Sequence, residues 1–138
     1  MILDPMKVTL SDSEITDIKE IIERKDKCKI EVAPSFNTIW FRSRTAEFET
    51  ELRLLCLGNL KLTISRVCFK NRRCGTMSEI LEKLEQICKE KNIQKIVFQS
   101  VETNEMSNFC LKHGYMPNLT CSFEIDGMIF GDYEKEII

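Results

Sequence analysis

Histidine is almost missing from this chain: one imidazole, His113, stands among 138 residues, against seven cysteines. The mixed cysteine–histidine zinc sets are therefore poorly supplied. Cys28, Cys56, Cys68, Cys74, Cys88, Cys110 and Cys121 also contain no Cys-x-x-Cys pair, so no metal site is expected. An odd number of thiols fits no closed disulfide framework, and reduced, small apolar side chains of a cytosolic or anaerobic setting are the expectation. No apolar run approaches the roughly 20 residues that cross a bilayer. Met1-Ile2-Leu3-Asp4 lacks the charged-then-apolar pattern of a signal peptide, so a cytoplasmic location without a membrane partner is expected. Low-complexity tracts and repeats are absent as well. Five glycines and three prolines exclude a collagen-like or disordered chain. Lysine and arginine (20) nearly balance aspartate and glutamate (22) and form no block, which argues against a nucleic-acid partner.

What is present is ordinary globular material, 43% hydrophobic and 30% charged. The length suits one core, and a single domain over 1–138 is expected. Ser11 with Glu14 three residues on has the form of a capping box, and Ile15, Ile18, Ile21 and Ile22 recur at helical spacing, predicting a helix over 12–25. Residues 29–32 and 38–41 read as short strands separated by Pro34, which cannot donate to a ladder. Phe48 to Leu57 fits both periods. Gly58-Asn59 decides for a strand, because such a link joins hairpins, here to a strand over 60–69. Alternation breaks near Arg66, where a bulge is expected. Met77, Ile80, Leu81, Leu84, Ile87 and Cys88 form one apolar stripe, predicting an amphipathic helix over 77–91. Residues 95–101 carry the apolar run Ile96-Val97-Phe98 and end on Val101, as in a central strand parallel to the one before the helix. Thr103 can cap a further short helix stopped by Gly114. Leu119, Cys121, Phe123 and Ile125 alternate on one strand face, and an Asp126-Gly127 turn leads to a last strand over 128–137. The fold class is α/β, an α+β mixed sheet flanked by helices.

The chemistry concentrates at one place. A strand ends at Phe69, the basic loop Lys70-Asn71-Arg72-Arg73 follows, and Gly75 opens the best helix. Free amides and the helix dipole at such a terminus favour a phosphate, glycine permits close approach, and arginine adds charge-assisted bonds. A solvated turn is the alternative. The segment Arg72-x-x-Gly75-x-Met77 resembles the Gln/Arg-x-x-Gly-x-Gly/Ala pyrophosphate loop of the GNAT N-acetyltransferase superfamily. Lys112-His113-Gly114-Tyr115 is similar to the Lys-x-Gly-aromatic turn that follows the superfamily's next strand and helix. Together the two cover residues 60–116.

The resemblance implies a GNAT-like fold that binds acetyl-coenzyme A between the strands ending near Phe69 and Val101. Main-chain groups of Arg66, Val67 and Cys68 would pair with the pantetheine arm. Arg72, Arg73, Cys74, Gly75, Thr76 and Met77 would hold the pyrophosphate, and Asn104, Phe109 and Lys112 would border the other side. It further implies transfer of acetyl to a primary amine by direct attack in a ternary complex. Two departures stand out: Met77 replaces a small residue, and Cys110 stands where many members carry a tyrosine that protonates the leaving thiolate. Cys110 is a candidate acid or else a small apolar helix residue. Glu49 and Glu51 are candidates for deprotonating the amine through water, against exposed strand carboxylates; Tyr133 is an alternative acid, against a packed edge tyrosine. His113 and Trp40 read as structural, Trp40 as a core anchor. The alternative function is an inactive GNAT-like domain acting as a coenzyme A-binding or protein-interaction regulator. A homodimer through an unpaired edge at 128–137 is a further expectation, which sedimentation showing only monomer at high concentration would retire.

Overall fold

The computed structural model describes residues 9–43, 50–71 and 75–138. In chain order the elements are α1 (Asp12–Asp26), β1 (Ile30–Ser35), β2 (Thr38–Ser43), β3 (Glu51–Leu57), β4 (Lys61–Cys68), α2 (Thr76–Lys91), β5 (Lys95–Val101), α3 (Asn104–Lys112), β6 (Met116–Ile125) and β7 (Met128–Glu136). The capping box forms at the start of α1, with Ser11 N donating to Glu14 Oε1 at 2.8 Å and Glu14 N to Ser11 Oγ at 3.2 Å. Thr103 caps α3 by accepting from Met106 N. Phe48, in the segment read as ambiguous, lies outside the described residues.

The strands make one seven-stranded sheet, ordered β1-β2-β3-β4-β5-β7-β6. Only β4 and β5 are parallel, as the helix between them requires. Pro34 sits inside β1, opposite Ile39, rather than between strands. An edge strand pairs on one side alone, so a missing donor is tolerated there. The β3–β4 link takes in Leu60 besides Gly58 and Asn59, since Leu57 pairs with Lys61. The expected bulge is present: Arg53 opposes Arg66 while Leu54 opposes Ile64, leaving Ser65 as the extra residue. The edge expected over 128–137 is corrected, because β7 pairs with both β5 and β6. The outer edge is β6. Its alternation is interrupted by a kink over 118–121, where Asn118 Oδ1 accepts from Thr120 N and Oγ1, and Leu119, Phe123 and Ile125 remain exposed.

All three helices lie on one face of the sheet. Lys135 of β7, in register with Ile96, reaches Glu85 of α2, while Tyr133 two residues earlier bonds Ser107 of α3. α1 lies beside α2, with Arg24–Glu79 and Asp17–Lys83 ion pairs, and its Asp26 reaches Thr50, which shares parity with Leu52 and Leu54. The core therefore fills the space between Phe41, Leu52, Leu54, Leu62, Ile64, Ile96 and Phe98 of the sheet and Ile18, Ile22, Ile80 and Leu84 of α1 and α2. On the opposite face, carrying Trp40, Arg42, Glu51, Arg53 and Arg66, no helix packs among the described residues. No helix there is long and apolar enough to cross a membrane.

Candidate acyl-donor cleft

β4 and β5 pair from Lys61↔Lys95 to Ile64↔Phe98 and then part, although β4 continues to Cys68 and β5 to Val101. Both strands are irregular at that point. Ser65 bulges from β4, while Ser100 of β5 has φ 55° and gives its N–H to Asp132 Oδ1 at 2.9 Å. The main chain of residues 65–68 thus makes no ladder with β5, and an extended ligand can pair there instead.

A cleft of about 520 Å³ opens beside the parting, walled by the end of β4 (Val67, Cys68, Phe69), the start of α2 (Gly75, Thr76, Met77, Ser78) and α3 with its cap (Thr103, Met106, Phe109, Lys112). Gly75 is the N-cap of α2 with φ 76° and supplies no side-chain cap. The amides of the first turn, which lack helical acceptors, therefore remain available to an anion. Thr76 is 3% exposed, and its Oγ1 has no partner among the described residues. An orphaned buried hydroxyl costs about 1–3 kcal/mol unless something bonds it, and this one lies in the cleft wall.

The loop into α2 is held from α1. Asp26 accepts from Thr50 Oγ1 at 2.5 Å and Lys70 N at 2.8 Å through Oδ2, and from Asn71 N at 2.9 Å through Oδ1. Asn71 also lines the cleft. Nothing in the sequence marked Asp26, because its partners lie 24 to 45 positions away.

Seven residues expected at the cofactor, Val67, Cys68, Gly75, Thr76, Met77, Phe109 and Lys112, meet in this wall. Met77 turns most of its side chain into the core, being 8% exposed. Arg66 and Asn104 are not among the lining residues. Arg72, Arg73, Cys74 and Glu49 lie outside the described residues. Phe69, Asn71, Thr103 and Met106 were not expected at the cofactor, yet all flank the loop or cap α3, so proximity to those motifs was the available signal.

Two candidate acids are corrected. Cys110 has no exposed surface and does not line the cleft; burial raises its thiol from 9.0 to about 12. Tyr133 is 1% exposed, with its hydroxyl 2.6 Å from both Ser107 Oγ and Ile129 O. Tyr133 faces the helix layer, and neither side chain lines the cleft. Glu51, in register with Cys68, accepts from Arg66 Nε at 2.7 Å. Trp40 is no core anchor: it lies half-buried on the uncovered face.

The buried thiols set an alkaline limit. Cys88, like Cys110, is raised to about 12 by burial. Folding favours the neutral thiols, so their contribution is complete below the unfolded value near 9 and is lost as pH climbs toward the folded value. Each then removes about 1.4 kcal/mol per pH unit. Thermal unfolding followed at rising pH is expected to show a steep fall above pH ~9, which Cys88→Ala/Cys110→Ala flattens.

No protein-family model and no curated protein matches the chain. Solved structures do. The PaiA N-acetyltransferase of Thermoplasma acidophilum, in complex with coenzyme A, is similar at TM-score 0.50 and 19% identity over 73% of this chain, which spans only 62% of that one. A Lactobacillus plantarum protein assigned to the N-acetyltransferases gives TM-score 0.52 and 13% identity over 94% of this chain and 95% of that one. A GNAT-family acetyltransferase of Staphylococcus aureus gives 0.50 and 12% over 96% and 84%. Identities this low speak to architecture, and with the β4–β5 parting and the glycine-led α2 they agree on one conclusion: this chain has the fold of the GNAT N-acetyltransferases.

Proposed function

We propose that the protein is an acetyl-coenzyme A-dependent N-acetyltransferase acting on a primary amine. The observation that carries this reading is the uncapped start of α2, with the orphaned Thr76 hydroxyl, opening onto a cleft beside the parted strands. The amides of Gly75 to Ser78, with Arg72 and Arg73, would hold the pyrophosphate. Main-chain groups of Val67 and Cys68, beyond the end of the β4–β5 ladder, would pair with the pantetheine arm, directing the thioester into the parting. The amine nitrogen then attacks the thioester carbonyl, the C–N bond forms, the C–S bond breaks, and the coenzyme thiolate takes up the proton released from the amine. Glu51 is the proposed acceptor of that proton through water, passing it on as the thiolate departs. Orientation of the amine supplies most of the acceleration. The free cysteines among the described residues support a cytoplasmic setting.

Calorimetry with acetyl-coenzyme A tests the donor site without knowledge of the acceptor. Saturable binding that Arg72→Glu/Arg73→Glu weakens by about tenfold or more is expected. A folded protein that binds none overturns the proposal. The burial of Cys110 and Tyr133 favours a second reading, a coenzyme A-binding regulator without turnover. Binding without acyl transfer to any amine would establish it.

A further inference from the structure

The helix layer occupies one face of the sheet and the donor cleft is walled by α2 and α3, so an acceptor can approach the β4–β5 parting from the other face, where no described helix packs. One row of side chains crosses that face. Trp40 of β2 stands in register with Arg53 of β3, and Arg53 with Arg66 of β4. The Arg53 guanidinium lies 5.4 Å from the centre of the Trp40 ring and that of Arg42 lies 5.0 Å from it. Arg53 Nε donates to Ser65 Oγ at 2.8 Å, and Ser65 is the bulge at which β4 leaves β5. The arginine row thus ends at the parting.

Two carboxylates of this face are already engaged. Glu51 accepts from Arg66, and Glu134 accepts from Lys95 at 3.2 Å and from Asn118 at 3.4 Å. Glu31 stands opposite Arg42 in register. Among the described residues of β1 to β4, three guanidinium groups stand on this face with Glu31 and Glu51. A guanidinium held against an indole keeps its charge and loses side-chain freedom, which prepares its fork of N–H donors for a planar anion. A polycationic amine meets repulsion on the same path.

We infer that the acceptor is an amine that also bears a carboxylate, which Arg53 and Arg66 hold while the amine enters the parting between β4 and β5. The inference rests on the acetyltransferase reading. A free amino acid and the acidic start of a peptide share this chemistry.

Trp40 is the only tryptophan of the chain, so its fluorescence reports on the row directly. The protein, with and without coenzyme A, is titrated with L-glutamate, with the dipeptide Asp-Glu, and with propylamine and spermidine, and acyl transfer from acetyl-coenzyme A to each is followed. Saturable changes in Trp40 emission are expected with one or both carboxylate-bearing amines, and the tighter of the two identifies the source. Arg53→Gln is expected to weaken that response about tenfold, with part restored by Arg53→Lys and coenzyme A affinity unchanged. The absence of a saturable response to either carboxylate-bearing amine, a preference for spermidine, or indifference to Arg53→Gln overturns the inference. Coenzyme A binding alongside any of these leaves the donor site standing; loss of coenzyme A binding by the unaltered protein strikes the acetyltransferase reading instead.

Discussion

Asp26→Asn is expected to lower the unfolding free energy by about 3 kcal/mol and to weaken coenzyme A binding by about tenfold, measured by denaturant unfolding and calorimetry. Asp26 is fully buried and ends α1, where the helix dipole disfavours an anion by about 0.3–1 kcal/mol. Its position is tolerated because three donors converge on it, and hydrogen bonds to a charged group contribute about 1.5–3 kcal/mol each. An asparagine would turn an N–H group toward at least one of those donors. The backbone amide freed by the change belongs to Lys70 or to Asn71, at the entrance to the cleft, so ligand affinity falls together with stability. Hydrogen exchange separates the two effects: at least one of the Lys70 and Asn71 amides should exchange faster in the variant while those of α2 stay protected. Unchanged exchange at both would remove Asp26 from this role.

Gly131→Ala is expected to cost about 3 kcal/mol, or roughly 10 °C of melting temperature. Gly131 has φ +116°, and a Cβ there would strike the Cys121 carbonyl oxygen and come within 2.8 Å of Ser122 Cα. Both obstacles are backbone of β6, where the strand returns from its kink to pair with β7, so neither can turn aside as a side chain does. Gly127 supplies the control. It has φ +83° with nothing within 4 Å of a built Cβ, so its alanine variant carries only the backbone strain, about 1 kcal/mol. Equal melting temperatures for the two variants would show that β6 yields where the packing says it cannot.

The helices were legible in the sequence because each carries its own signal. The Ser11–Glu14 box, the stripe from Met77 to Cys88 and the Thr103 cap are relations within a few positions, and all appear where they were read. The bulge beside Arg66 was readable for the same reason, since a break in alternation is local. Gly75 and Lys112 marked two walls of the cleft because both sit in short motifs at the ends of elements. The acid candidates failed because a helix or strand pattern gives spacing without saying which neighbour covers a side chain. Cys110 and Tyr133 look available in one dimension and are buried in three, Tyr133 against Ser107 of α3.

The sequence by itself determined the order of elements, the mixed α/β class and the glycine-led start of α2, because capping, hydrophobic period and glycine chemistry act over a few residues. Only the tertiary structure decided that β7 lies between β5 and β6, that every described helix shares one face, that Asp26 grips the loop, and that Trp40 leaves the core to stand among Arg42 and Arg53. Each of these depends on contacts between residues far apart in the chain, and their energies arise only once the sheet has brought those residues together.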